Sequence, residues 1–105
     1  MDSASRFVEV KVGAVVQDPE GLHRHQIWEM KEVADQYPDL RIRLMKSISG
    51  EDADLKAPDH VWTLADIQGT HYVITAIGAD NERVSRACEE TKTALERVRD
   101  KAKVA

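Results

Sequence analysis

The stretch Gly21-Leu22-His23-Arg24-His25-Gln26-Ile27 marks the point where a turn ends and a helical pattern begins, with His23 at the junction. No Ser, Thr, Asp or Asn stands there to cap the helix. The first backbone N–H groups of a helix lack internal partners, and the helix dipole adds partial positive charge. A neutral imidazole is a nucleophile. The stretch therefore predicts a place where an anion, such as a phosphoryl group carried on His23, rests on free N–H groups.

The segments on either side of this stretch have different periods. From Arg6 to Val16 every second residue is apolar and mostly β-branched, which is typical of a half-buried strand. Residues 17–21 then break the strand with turn-forming residues. From His23 to Tyr37 the apolar residues recur at steps of three and four, which predicts an amphipathic helix. Pro38 cannot continue that helix, so we expect it to end at Tyr37.

Two strands joined by a hairpin are predicted next. Apolar residues alternate with two arginines over residues 40–44, which indicates a strand with a solvated outer face. Residues 47–50 have the composition of a hairpin loop. The acids around residues 53–55 predict a short edge strand protected by charge.

A short helix, a strand and a long helix complete the pattern. Pro58 suits the first turn of a short helix over residues 57–64. Tyr72–Ile77 is rich in strand-forming residues, and Asp80 or Asn81 is expected to cap the last helix. The apolar stripe of that helix consists of Val84, Ala87, Cys88, Thr91, Leu95 and Val98.

The predicted order of elements is therefore βαββαβα. Four strands with a tight central hairpin favour a mostly antiparallel sheet, and two longer helices would cover one face of it. This is the α+β class, as a two-layer sandwich. The 105 residues suffice for one domain with one core. We expect residues 6–100 to form that domain, with residues 1–5 a flexible N-terminus and residues 101–105 a frayed C-terminus.

The composition argues against several classes of function. The formal net charge is −4 with acids and bases interleaved, which is unlike the clustered Lys and Arg of a nucleic-acid module. No apolar run approaches the roughly 20 residues of a membrane span, and residues 1–6 lack the pattern of a secretion signal. Cys88 is the only cysteine, so a disulfide framework is excluded. We expect a cytoplasmic protein that binds neither membrane nor nucleic acid.

The order of elements, with Gly21-Leu22-His23 opening the first helix, resembles the histidine-containing phosphocarrier protein (HPr) family of the bacterial sugar phosphotransferase system. The family's active-site motif reads Gly-Leu-His-Thr/Ala-Arg-Pro-Ala, and its first three residues match here. Further similarities lie in Thr63-Leu64, in Ile67-Gln68-Gly69-Thr70 and in Gly78-Ala79-Asp80. The resemblance covers roughly residues 6–98. It implies an HPr-like fold with a four-stranded antiparallel sheet covered on one face by helices.

The resemblance also implies a role for His23. It would take a phosphoryl group on Nδ1 from an enzyme I-type donor and pass it to a IIA-type acceptor, as a carrier without a cofactor rather than a stand-alone enzyme. The family's arginine and proline positions hold His25 and Gln26. Arg24 lies one residue early, and a side chain moved by one helix position points about 100° away. Arg24 and His25 are therefore the candidate partners of a phosphate on His23.

A second departure concerns the surface that binds partners. Ala57 stands at the position of the family's regulatory serine, so we expect that switch to be absent, and Pro58 and Asp59 replace the apolar docking pair. Trp28 falls off the apolar stripe of its helix, which fits either a docking anchor or partial burial at the sheet edge. The alternative function is a protein-binding or regulatory module on the same fold, with altered or lost phosphotransfer, that uses Trp28, Pro58 and Asp59.

Other residues with chemical potential have simpler interpretations. Trp62 and Cys88 are expected in the core. His23 and His25, with a third histidine, form a weak zinc candidate, because two histidines two residues apart at a helix start face different ways. We therefore expect no metal site. The sequence also lacks a recognisable set of nucleophile, base and orienting residue.

Overall fold

The computed structural model describes residues 7–98, which form four strands and three helices around one sheet. The strands are β1 (Val8–Val15), β2 (Arg41–Lys46), β3 (Asp52–Asp54) and β4 (His71–Gly78). The helices are α1 (Arg24–Gln36), α2 (Pro58–Trp62) and α3 (Asn81–Glu96). The predictions of a flexible N-terminus at residues 1–5 and a frayed C-terminus at residues 101–105 lie outside the described residues.

The sheet has the strand order β1-β4-β2-β3, and every pairing is antiparallel. Three apolar residues, Val12, Ile74 and Leu44, lie opposite one another across β1, β4 and β2. Alternate residues of β2 and β4 are buried. Helix α3 packs on β1 and β4, and α1 packs beside α3. The structure confirms the predicted α+β class and the βαββαβα order.

Helix α1 begins and ends where its sequence predicts, and helix α3 begins where its sequence predicts. Ile27, Met30 and Ala34 form the buried stripe of α1, and Tyr37 before Pro38 is its C-cap. Asp80 is the N-cap of α3, and its carboxylate accepts a hydrogen bond of 2.9 Å from the backbone N–H of Glu82. No helix within residues 7–98 is long and apolar enough to cross a bilayer.

The core lies between the sheet and the helices. Cys88 is buried there as predicted, and burial raises the pKa of its thiol to about 11, so little thiolate is present at neutral pH. The Tyr72 hydroxyl donates to the carbonyl of Leu64, and burial raises its pKa to about 12. This bond ties β4 to the loop after α2.

Two predictions about the core are wrong. Trp62 was expected inside, yet 45% of its surface is exposed. Helix α2 is only five residues long and buries Val61 instead, so the neighbouring Trp62 faces outward. Val98 was assigned to the stripe of α3, but the helix ends at Glu96 and 48% of Val98 is exposed.

Candidate functional site

His23 is the N-cap of α1 and lies between the β1–α1 loop and the first helical turn. Its backbone is extended, with φ −106° and ψ 171°, and its carbonyl accepts the first helical hydrogen bond from the N–H of Ile27. The side chain is 31% exposed. The ring is therefore held at the surface by the backbone, beside the N–H groups of the first turn.

Gly21 allows the loop before His23 to pass close to a second loop. Its φ is +90°, a conformation that glycine adopts without steric cost. A Cβ at this position would lie 2.7 Å from the carbonyl oxygen of Asp66. The next residue, Leu22, donates its N–H to that same oxygen at 2.9 Å. The side chain missing from Gly21 thus allows the contact that fixes the loop of His23.

Asp66 is held in turn by a charged partner. Its carboxylate contacts the ammonium group of Lys46 at 2.8 Å and accepts the N–H of Ile67 at 2.8 Å. The hydrogen bond from Lys46 lowers the pKa of Asp66. The loop that supports Gly21 is therefore itself anchored to the end of β2.

Gln26 connects the start of α1 to two distant parts of the chain. It is fully buried, and its Oε1 accepts the backbone N–H of His23 at 2.7 Å. Its Nε2 donates to the carbonyl of Arg97 at 3.1 Å and to the carboxylate of Asp18 at 3.5 Å. Gln26 at the proline position of the HPr motif thus anchors the loop, the helix start and the end of α3 together.

The expectation of an uncapped helix start needs correction. Gln26 occupies the third helical position, and His23 and Gln26 face each other in the arrangement of a capping box. The bond from the backbone N–H of His23 is complete, whereas the His23 side chain approaches the N–H of Gln26 without closing a hydrogen bond. A glutamine three residues after the junction is the sequence signal that would have predicted this.

Two acidic residues of the loop also belong to the site and were not predicted. Glu20 Oε1 lies 3.3 Å from His23 Nε2. Asp18 is almost fully buried beneath the loop, and its Oδ1 accepts the backbone N–H of Glu20 at 2.9 Å. The composition of residues 17–21 predicts a turn, but it does not reveal which side chains turn toward the histidine.

The two predicted phosphate partners lie in different places. The His25 ring is stacked on the His23 ring, with 6.3 Å between centroids and 19° between planes. The guanidinium of Arg24 lies over the Trp62 ring instead, 5.8 Å from its centroid. The structure therefore brings His25 to His23, while Arg24 faces α2.

The predicted docking residues line one cleft between α1 and α2. The cleft has a volume of about 230 Å³ and is lined by Arg24, Ile27, Trp28, Pro58, Asp59 and Trp62. Trp28 is 51% exposed, and the Lys31 ammonium lies 5.9 Å from its ring centroid. We call this surface the tryptophan cleft. Among residues 7–98 no three potential metal ligands converge.

The fold to be compared is a four-stranded antiparallel sheet with βαββαβα order and a histidine at the N-cap position of the first helix. A histidine-containing phosphocarrier protein of Mycoplasma matches with a TM-score of 0.69 and 26% identity over 84% of this chain and 99% of its own. The chain has the HPr fold, which confirms the resemblance seen in the sequence.

Two further structures match over similar lengths. The phosphocarrier protein HPr of Bacillus anthracis has a TM-score of 0.70 and 18% identity, and covers 85% of this chain and 99% of its own. HPr-C-His of Thermoanaerobacter tengcongensis has a TM-score of 0.61 and 17% identity, and the match covers 82% of this chain and 94% of its own. No family model and no curated protein matches the sequence.

Proposed function

We propose that this protein is a phosphocarrier that accepts a phosphoryl group on His23 and passes it to another protein. The observation that supports the proposal is the position of His23 as N-cap of α1 in the HPr fold, beside the first-turn N–H groups. The donor we propose is an enzyme I-type protein and the acceptor a IIA-type protein of the phosphotransferase system. We propose that the transfer takes place in the cytoplasm, because a protein with one cysteine has no internal disulfide and fits a reducing compartment.

The chemistry follows from the residues around the ring. A neutral imidazole nitrogen attacks phosphorus, the bond from phosphorus to the donor breaks, and a nitrogen–phosphorus bond forms. The backbone N–H groups of Arg24 and His25, at the first two helical positions, are suited to donate hydrogen bonds to the phosphate oxygens. His25 is the nearer of the two candidate side chains, because Arg24 would first have to leave the Trp62 ring.

A phosphorylation assay tests this function. Incubation with phosphoenolpyruvate and enzyme I is expected to add one acid-labile phosphoryl group to the wild-type protein, measured by intact mass. His23→Ala is expected to abolish the label, because the nucleophile is gone. His60→Ala removes an exposed histidine of α2 and is expected to retain full labelling. A label that persists in His23→Ala rejects the site.

The second candidate function is a binding module that does not require phosphorylation. The tryptophan cleft favours this second function, because solvent-exposed tryptophans are typical anchors of protein interfaces. The partner would be a protein that inserts an apolar side chain between Trp28 and Trp62. Pro58 and Asp59 at the start of α2 would form the polar rim of the contact.

Affinity capture with matched variants separates the two functions. For the binding module, we expect His23→Ala to retain the partner and Trp28→Ala to reduce its capture at least about tenfold, as for a hot-spot residue. Ile67→Ala is the control, since Ile67 is equally apolar and 72% exposed on another surface. Equal capture by all three variants would show that the tryptophan cleft is not the interface.

A further inference from the structure

The β1–α1 loop places a carboxylate beside the Nε2 atom of His23. Glu20 Oε1 is 3.3 Å from His23 Nε2, and this nitrogen is buried although the ring as a whole is partly exposed. Among residues 7–98 no atom completes a hydrogen bond to Nε2, so the contact with Glu20 is electrostatic. The two residues are three apart on opposite sides of Gly21-Leu22, in a loop whose shape is fixed.

We propose that Glu20 is a positioning residue that keeps the proton of the neutral His23 ring on Nε2 and so makes Nδ1 the nucleophilic nitrogen. A carboxylate attracts the positive end of an N–H bond and repels a nitrogen lone pair, so it favours the tautomer in which the nearer nitrogen carries the proton. The inference rests on the proposed phosphocarrier function for its purpose. The tautomer itself is independent of any phosphoryl donor.

The contact on the other side of the ring favours the same tautomer. The His23 side chain faces the backbone N–H of Gln26 in the capping-box arrangement. A ring nitrogen that meets a backbone N–H is best unprotonated, because its lone pair then points at the donor. Glu20 and the helix start thus act on the two nitrogens in the same sense.

The position of Glu20 is determined by buried groups rather than by its own exposed side chain. The backbone N–H of Glu20 donates to Asp18 Oδ1 at 2.9 Å, and that of Gly21 donates to the Asp18 carbonyl at 2.9 Å. Asp18 also contacts the Gln26 side chain, which binds the backbone N–H of His23. One buried network therefore holds both the histidine and its carboxylate partner.

In this arrangement the His23 ring neither gains nor loses a proton during phosphoryl transfer. When Nδ1 attacks, the donor's bond to phosphorus breaks and the Nδ1–P bond forms, while Nε2 keeps its proton. The phosphorylated ring then carries a positive charge, which the carboxylate of Glu20 faces directly. When an acceptor takes the phosphoryl group, the neutral Nε2–H ring returns, and no proton has to enter or leave the loop.

Nitrogen-15 NMR of the histidine rings tests the tautomer, at a pH where every ring is neutral. In the wild type we expect Nε2–H to predominate in His23 more strongly than in the exposed His60 and His71. We expect Glu20→Ala to reduce the ratio of the Nε2–H to the Nδ1–H tautomer of His23 about three- to tenfold. The effect is smaller than that of a buried contact with a charged group, because Glu20 is partly exposed. Glu20→Gln retains an acceptor oxygen, so we expect its tautomer ratio to lie between those of the wild type and Glu20→Ala.

The control is Glu51→Ala, which removes an exposed acid from the β2–β3 hairpin and is expected to leave the ratio unchanged. An unchanged His23 ratio in Glu20→Ala, in a protein with wild-type amide spectra elsewhere, overturns the proposal. The same samples treated with phosphoramidate and followed by phosphorus-31 NMR locate the phosphoryl group. We expect Nδ1 modification of His23 in the wild type and a mixture of both nitrogens in Glu20→Ala.

Labelling by enzyme I and the NMR tautomer ratio together distinguish the phosphocarrier function from the positioning role of Glu20. If enzyme I does not label His23 but the tautomer depends on Glu20, the phosphocarrier function fails and the positioning role stands. If enzyme I labels His23 while Glu20→Ala changes neither the tautomer nor the modified nitrogen, the function stands and the role of Glu20 is rejected.

Discussion

Gly21→Ala is expected to destabilise the protein by about 2–4 kcal/mol, which lowers the melting temperature by about 10–20 °C for a domain of this size. An alanine at φ +90° costs about 1–2 kcal/mol by itself. The added Cβ would also lie 2.7 Å from a backbone oxygen of Asp66, so the two loops must separate. That movement breaks the hydrogen bond between the N–H of Leu22 and the carbonyl of Asp66, which costs additional free energy. Thermal unfolding followed by circular dichroism measures the change.

Gly69→Ala is the matched control for this experiment. Gly69 has the same φ of +90°, but its Cβ would meet nothing within 4 Å. The control is therefore expected to lose only the backbone contribution, about 1–2 kcal/mol. The difference between the two variants isolates the contact with Asp66. Equal losses would contradict the close approach of the two loops.

Gln26→Leu is expected to lower the free energy of unfolding by about 2–4 kcal/mol, although it replaces a buried residue by one of similar size. The backbone N–H of His23 and the carbonyl of Arg97 lose the hydrogen bonds that they make to Gln26, and the carboxylate of Asp18 loses one contact but keeps the bond from the Glu20 N–H. A buried backbone N–H or carbonyl that loses its hydrogen bond costs about 1–3 kcal/mol, so these two groups account for the expected loss. Urea unfolding at constant pH measures the loss.

Gln36→Leu is the control for Gln26→Leu. It makes the same chemical change at the exposed C-terminal end of the same helix, so the expected effect lies within about 0.5 kcal/mol. A Gln26→Leu variant as stable as Gln36→Leu would show that the buried network contributes nothing to folding.

The fold could be predicted because each element carries its own pattern. Period-two spacing in β1 and β2, the stripe of α1 and Pro38 after it are local signals, and each corresponds to an observed element. Trp62 was misplaced for a related reason. A helix of five residues offers too few positions for a periodic signal, so its aromatic residue could not be assigned to a face.

The site was only partly predictable, because its contacts join residues far apart in the chain. His23 is recognisable from the local motif, and His25 from its spacing. The bond from Gln26 to Arg97 spans 71 residues, and no local pattern announces it. Glu20 lies in a turn of ordinary composition, and its carboxylate reaches the ring because of the turn conformation and the hydrogen bonds of the turn to Asp18. Of the residues that differ from the family motif, His25 lies against the His23 ring and Gln26 binds the backbone of His23, whereas Arg24 faces Trp62.

The hydrogen bond between Gln26 and Arg97 has a practical consequence for handling the protein. Arg97, near the end of the described chain, lies directly behind the reactive face, whereas β1 runs away from that face for eight residues, about 25 Å, toward Val8. A tether or fluorophore attached at position 97 would start close to the imidazole and crowd any incoming protein. Attachment at position 8, at the far end of β1, leaves the face clear.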